Sequence, residues 1–329
     1  MVYIETTLFK RRLALAALFV CAGVARGDAT IEIDRRLPNA QALYDPVALS
    51  PTARWLATVE RAREGHPILN VYEVSTGKRV ARFRSVVTML AAWHPSKPLI
   101  AAPCDLGWSG QVLRLLDVRT GKVQWFNPED GKNAEPVAWL PDGLRVLTAR
   151  GTYYGRKPGD EGEIPGLWGP HVVDAVAVAS DWTVAAEPRG NQWEPSAIEI
   201  YRKQPGRLAY TLAAKLLPDR DPATGKVTSF RNQPGFLASG RLAYARVFLD
   251  KTGKRQRVEL WTCRSDGSDE RKWLSLPLIP KETRYPPGRA RDPGVYRLAP
   301  VSWTRDGKMI AYVYQGAVHV KRVKPPAAH

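Results

Sequence analysis

The sequence predicts an all-β chain folded as a β-propeller, a ring of small four-stranded antiparallel sheets, and three observations predict it. A hairpin phrase is spelled twice, 44 residues apart: "LNVYEVSTGKRVARF" (69–83) and "LRLLDVRTGKVQWFN" (113–127) carry Thr-Gly-Lys at the same place. A second phrase recurs as "VALSPTARWLATV" (47–59), "AAWHPSKPLIAAP" (91–103), "VAWLPDGLRVLTA" (137–149) and "VSWTRDGKMIAYV" (301–313), each a short apolar strand, a polar turn and a second apolar strand. No segment sustains the 3.6-residue apolar period of a helix, whereas short Val, Ile, Leu and Ala runs bounded by Gly, Pro and Asp are frequent.

The first segment is expected to belong to processing and not to the fold, with an uncleaved anchor as the alternative and the export route, twin-arginine or lipoprotein, left open. Lys10, Arg11 and Arg12 precede the apolar run "LALAALFVCAGVA", which is short for a membrane span and ends in small residues before Asp28. Residues 1–27 are therefore read as a secretory signal peptide, 28–324 as one propeller domain and 325–329 as a disordered tail. The expected location is periplasmic or secreted.

The strands of one unit, a to d, follow from the two phrases. Strands a and b flank the Pro or Asp-Gly turn, and c and d flank the Thr-Gly turn. Pro51 to Pro95 is 44 residues and Pro95 to Pro141 is 46, the spacing of repeats that each supply one sheet. Gly77 and Gly121 serve c–d hairpins that need a residue with positive φ, and Glu73 and Asp117 are placed to accept hydrogen bonds from the turn N–H groups. Later units change the turns, to Pro205-Gly206 and Asp266-Gly267. Degenerate a–b pairs occur at 175–187 and 235–247.

Six units begin near Tyr44, Val86, Asn133, Val172, Leu217 and Arg284; seven stay open because 150–172 and 217–235 read as irregular. One such sheet buries too little to stand alone, and radial packing lets each face cover the next. The last unit offers a, b and c but no d, while "ATIEIDRRL" (29–37) is a strand without a unit. That N-terminal strand is expected to complete the last sheet and close the ring.

These phrases carry a resemblance. The Trp-x-Pro-Asp-Gly-like phrases followed by an Ile/Leu-Ala strand resemble the repeats of TolB-type and WD40-like propellers. "LLDVRTGKVQWF" also resembles the tryptophan-docking repeat of quinoprotein-type propellers, with Trp125 in the docking position, although blade 1 has Ala81 there. The resemblance implies fold and leaves function open, because propellers serve as scaffolds, hydrolases, lyases and dehydrogenases.

Candidate function falls on the b–c connections. They are read as 61–67, 105–110, 151–171, 188–196 and 248–256, and a structureless stretch of some twenty residues is uncommon unless it binds something or is disordered. Trp108, Trp168 and Trp193 precede strand c in three of them, joined by Tyr153, Tyr154, Arg156, His171 and Arg189. Indoles on loops can anchor a partner, and arginines can hold carboxylate or phosphate. The leading expectation is a non-catalytic envelope scaffold binding a protein or peptide there. The rival is a lyase or hydrolase acting on a glycan or small anionic substrate, with His171, Glu187 or Glu194 as acid or base; a quinone-dependent dehydrogenase ranks third.

Composition narrows the partners. The net charge is +17, and removing residues 1–27, with Lys10, Arg11, Arg12, Arg26 and Glu5, leaves +14. Such a charge attracts lipid headgroups or acidic glycans, so a membrane surface is admitted. Nucleic acid is not expected, since the Lys and Arg are scattered with no basic helix and no run of five. No cofactor or metal is expected: Asp160, Glu161 and Glu163 lack the spacing of an EF-hand, and no Gly-x-Ser-x-Gly phrase occurs. Cys104 and Cys263 fall in opposite blades, beyond disulfide reach. A monomer is expected.

Overall fold

The computed structural model describes residues 30–33, 47–61, 67–84, 86, 92–105, 111–126, 136–157, 159–167, 173–188, 197–252, 255–276, 301–314 and 317–326. It is an all-β, six-bladed propeller. The N-terminal strand is β1 (Thr30–Ile33). Blade 1 is β2 (Val47–Leu49), β3 (Trp55–Arg61), β4 (Pro67–Glu73) and β5 (Arg79–Arg84). Blade 2 is β6 (Ala92–Trp93), β7 (Leu99–Asp105), β8 (Gln111–Asp117) and β9 (Val123–Trp125). Blade 3 is β10 (Pro136–Trp139), β11 (Arg145–Thr148), β12 (Thr152–Gly155) and β13 (Glu161–Glu163). Blade 4 is β14 (Val173–Val178), β15 (Val184–Pro188), β16 (Ile198–Lys203) and β17 (Tyr210–Leu216). Blade 5 has five strands, β18 (Asp219–Arg220), β19 (Val227–Phe236), β20 (Leu242–Leu249), β21 (Arg255–Cys263) and β22 (Arg271–Ser275). Blade 6 is β23 (Val301–Trp303), β24 (Met309–Tyr314) and β25 (Ala317–Arg322), completed by β1.

The latch is antiparallel. Thr30 stands opposite Lys321 and Ile33 opposite Val318, so the chain's first strand becomes the outer strand of its last blade. Six apolar clusters fill the six seams between blades, and strand alternation makes them. On β7, Ile100, Ala102 and Cys104 pack into the seam with blade 1, while Ala101 packs into the seam with blade 3. Nearly all of these side chains are buried. A continuous apolar strand interior is thus required of b and c, which serve two cores at once.

The turns explain the punctuation. Gly77 and Gly121 have φ of 65° and 67°, and each closes its hairpin by donating N–H to the carbonyl of Glu73 or Asp117, at 2.8 and 2.9 Å. Asp117 Oδ1 also accepts the Arg119 N–H at 2.8 Å. The chain beyond β25 stays close to the ring: the Trp273 indole donates to the Lys324 carbonyl at 2.9 Å, and Pro326 lies close over Gly307.

Two stretches read as irregular are regular. Residues 151–171 were expected as one long b–c loop, but they contain strands c and d of blade 3, β12 and β13, joined through 156–160. The stretch 217–235 contains the extra hairpin of blade 5. Both were obscured by polar residues, since strand d of a blade has only one apolar seam to satisfy, and the blade 5 hairpin stands outside the four-strand pattern.

Candidate functional site

In such a ring the a–b and c–d turns gather at one end, and the b–c and d–a connections at the other. Tyr153 and Tyr154 lie on β12, on opposite faces of the blade: Tyr153 packs toward blade 4 and Tyr154 toward blade 2. Arg156 follows in the c–d turn and is exposed, at the end opposite to the one expected. The correction has one cause, the conversion of the expected loop into strand, turn and strand. Trp108, Trp168, His171, Arg189 and Trp193 lie outside the described residues.

The described residues show a built feature at the b–c and d–a end which sequence reading missed. Strand β19 is ten residues long, and its first half pairs with β18 on one side and with β20 on the other. The hairpin turn is "DPATGK", Asp221 to Lys226, a third copy of the acid-x-x-Thr-Gly-Lys turn. Gly225 has φ 68° and donates to the Asp221 carbonyl at 2.8 Å, and the Ala223 N–H donates to Asp221 Oδ1 at 2.8 Å. Here the motif points toward the b–c end, out of phase with the repeat. Its recurrence was the signal that could have revealed the hairpin.

An ionic network holds this hairpin to the blade. Arg231 is 6% exposed and donates from Nε to Glu270 Oε1 at 2.7 Å and from Nη2 to Glu270 Oε2 at 3.0 Å. The same guanidinium reaches the Leu217 carbonyl and, at 3.4 Å, Asp219 Oδ1. Arg246 donates to Asp219 Oδ2 at 2.6 Å, Ser229 donates to the same oxygen, and the Tyr244 hydroxyl donates to Glu270 Oε1 at 2.5 Å. Burial alone would raise the pKa of both carboxylates. Hydrogen bonds from Ser229 and the charges of Arg231 and Arg246 instead hold Asp219 below its ordinary value, and bonds from Arg231 and Tyr244 do so for Glu270.

Beside the network runs a stack of cations and rings. Arg246 lies 4.5 Å over the Trp261 ring and 5.2 Å over Phe248, and Arg257 lies 3.9 Å over Phe248. Phe248 and Trp261 are half-buried and Arg257 is exposed, so the stack presents a flat, partly solvated edge near the hairpin.

The central channel, about 300 Å³, is lined by the six a strands. Trp93 donates its indole N–H to the Ala48 carbonyl of blade 1 at 3.0 Å, and Trp139 to the Ala92 carbonyl of blade 2 at 2.9 Å. Leu49 N–H donates to Ser302 Oγ of blade 6 at 3.0 Å. At Gly235 a Cβ would fall 2.7 Å from the Trp303 indole nitrogen, so glycine there lets the ring lie on the neighbouring backbone. The innermost strand of blade 5 bulges between Asn232 and Gly235, with Gln233 at φ 51° donating its N–H to Glu187 Oε2 at 3.0 Å. Glu187, considered above as an acid or base, is buried and tied to this bulge.

Other reactive side chains are engaged in packing. His94 Nδ1 accepts the Ser96 and Lys97 N–H groups at 3.1 Å, which leaves Nε2 to donate to the Gly143 carbonyl at 3.1 Å. Burial and the Lys97 charge hold its pKa below the ordinary value. Cys104 and Cys263 are free and buried, and burial pushes their thiols up to about 11 and about 12. Trp125 is 48% exposed on the outer strand of blade 2, with Arg114 3.3 Å over its ring, rather than docked in a seam. Among the described residues no three His, Cys, Asp or Glu converge as metal ligands, and no helix is long and apolar enough to cross a membrane.

The chain is similar in structure to known propellers. TolB from Acinetobacter baumannii matches at TM-score 0.49 and 15% identity over 76% of this chain and 55% of that one. The β-propeller domain of Myceliophteria thermophila Cps50 (Swd1) matches at TM-score 0.48 and 12% identity over 85% and 83%. A putative TolB from Agrobacterium tumefaciens matches at TM-score 0.47 and 12% identity over 70% and 80%. This chain thus spans about half the length of the Acinetobacter TolB. These neighbours match the resemblance read from the repeat phrases. No protein-family model and no curated protein sequence matches the chain.

Proposed function

We propose that the protein is an exported, non-catalytic propeller of the cell envelope that binds a protein or peptide partner at its b–c and d–a end. The observation that carries this reading is the additional blade 5 hairpin, turned toward that end and tied to the blade by Arg231 and Arg246. A surface that is already rigid loses little conformational entropy on binding. The Phe248, Arg246, Trp261 and Arg257 stack beside it offers aromatic and cationic anchors of the kind that dominate interfaces. The expected anchors Trp108, Trp168 and Trp193 lie outside the described residues and are part of this proposal through the sequence reading alone. Export rests on the basic and apolar segment before Asp28.

The test is capture of envelope proteins by the mature chain, compared with a Phe248→Ser, Arg257→Glu variant and a Trp168→Ala, Trp193→Ala variant. Both are expected to lose the captured partner while remaining cooperatively folded, which urea unfolding of each variant verifies. Unaltered capture by both variants, or turnover of a glycan by the wild-type chain, would overturn the proposal.

A further inference from the structure

The turn end of the ring, opposite the surface just described, carries a second concave feature. Between the a–b turns of blades 1 and 2 lies a pocket of about 300 Å³ whose wall includes Arg54, Lys97 and Arg119 and no carboxylate. That volume is at the lower end of small-molecule sites. Arg54 has a distant partner, Glu73 at 3.6 Å, and stacks 4.4 Å over Trp55. Neither Lys97 nor Arg119 has an ion-pair partner among the described residues. Elsewhere at this end arginines do have acids beside them: Arg145 has Asp142 at 2.7 Å and Arg241 has Asp269 at 2.8 Å. The pocket between blades 1 and 2 thus brings three cations to one wall, of which Arg54 alone has a carboxylate within ion-pair range.

The pocket is also preformed. Ser50 Oγ accepts the Trp55 N–H at 3.0 Å, Ser50 N–H donates to the Trp55 carbonyl at 2.8 Å, and both backbone groups at Ser96 and Lys97 are bound to His94. The blade 1 turn places Ala53 at φ 57°, where the corresponding turns of blades 3, 5 and 6 use Gly143, Gly240 and Gly307. An alanine held in that conformation is strained, and such strain persists where the surroundings over-determine it. It sets the backbone immediately before Arg54.

We infer that this pocket binds a phosphate group, carried by a small phosphate monoester or as the free ion. Two guanidinium forks and an ammonium supply more N–H donors than one carboxylate has oxygens to receive, and a tetrahedral dianion uses them better. The hydroxyls of Thr52 and Ser96 add further donors at the wall, and the rings of Pro51 and Pro95 form an apolar rim for the body of an ester. The inference is independent of the partner surface at the other end.

The experiment is isothermal titration of the mature protein with inorganic phosphate, glycerol phosphate and acetate at constant ionic strength. The Lys97→Met, Arg119→Gln variant is titrated in parallel, and its melting temperature is measured. Saturable one-to-one binding of phosphate or its ester, at least tenfold tighter than acetate and weakened at least tenfold in the variant at unchanged melting temperature, supports the site. Tighter binding of glycerol phosphate than of phosphate identifies an ester as the occupant, and equal binding identifies the free ion. Equal affinity in wild type and variant places the anion elsewhere on a basic surface and overturns the inference, as does acetate binding as tightly as phosphate. An Arg54→Gln variant provides a second check: it must also weaken phosphate, and an undiminished affinity there removes the three-cation site.

Discussion

Replacing Arg231 by Met tests whether the blade 5 network holds the hairpin. The substitution keeps an unbranched side chain of similar length but removes the two hydrogen bonds to Glu270, at 2.7 and 3.0 Å, and the contacts to Asp219 and Leu217. The guanidinium side chain is only 7% exposed, and that of Glu270 is 27% exposed. Breaking one side of a buried pair costs about 3–5 kcal/mol because the abandoned charge stays desolvated. Here Tyr244 still donates to Glu270 and Asp219 is a third exposed and screened, so the lower end applies, about 3 kcal/mol. For a chain of this size that lowers the melting temperature by roughly 6 °C. Urea unfolding monitored by Trp fluorescence measures it. Adding Glu270→Gln removes the stranded charge and is expected to restore about half of the loss.

The pH dependence provides an independent readout. Asp219 and Glu270 have folded pKa values below their unfolded ones, so their stabilisation is complete above about pH 4.3 and is lost as pH falls through the folded values. The gap between wild type and Arg231→Met should therefore narrow below about pH 4. A variant within about 0.5 kcal/mol of wild type at pH 7, or a gap that does not change with pH, would refute the network's role.

Gly235→Ala forces a Cβ to within 2.7–2.9 Å of the Trp303 indole, and an overpacking loss of about 1–3 kcal/mol is expected in urea unfolding. The Cys104 and Cys263 thiols, raised to about 11 and about 12, should be unreactive toward a maleimide at pH 7.5 in the native protein and react together on unfolding. Early labelling of either would show its blade opening locally. For His94 the folded pKa is depressed, so the unfolded chain binds the proton first and stability should decline as pH falls below about 6.5, a decline that His94→Gln removes.

The legible parts of the fold were those carried by local patterns. The Thr-Gly-Lys turns, the Pro and Asp-Gly turns and the apolar pairs around them marked strands a to d in blades 1 and 2, because a hairpin's backbone demands are met within about ten residues. The lone strand near Thr30 and the missing d strand of blade 6 foretold the latch. Blade 3 was illegible beyond Thr148, since β12 and β13 are short and bounded by Gly and Pro, signals shared with loops. Tyr153 and Tyr154 were consequently expected on a loop and not in a strand, and Arg156 at the wrong end of the ring.

By itself the sequence determined the class of structure: small antiparallel sheets in repeat, six or seven of them, an N-terminal strand to close them, and a basic composition. Strand alternation and turn chemistry act between near neighbours, so they can be read along the chain. The tertiary structure alone decided which residues meet. Arg231 finds Glu270 39 positions away, and Arg54, Lys97 and Arg119 converge from two blades, because sheets packed in a ring bring together turns that no local rule relates.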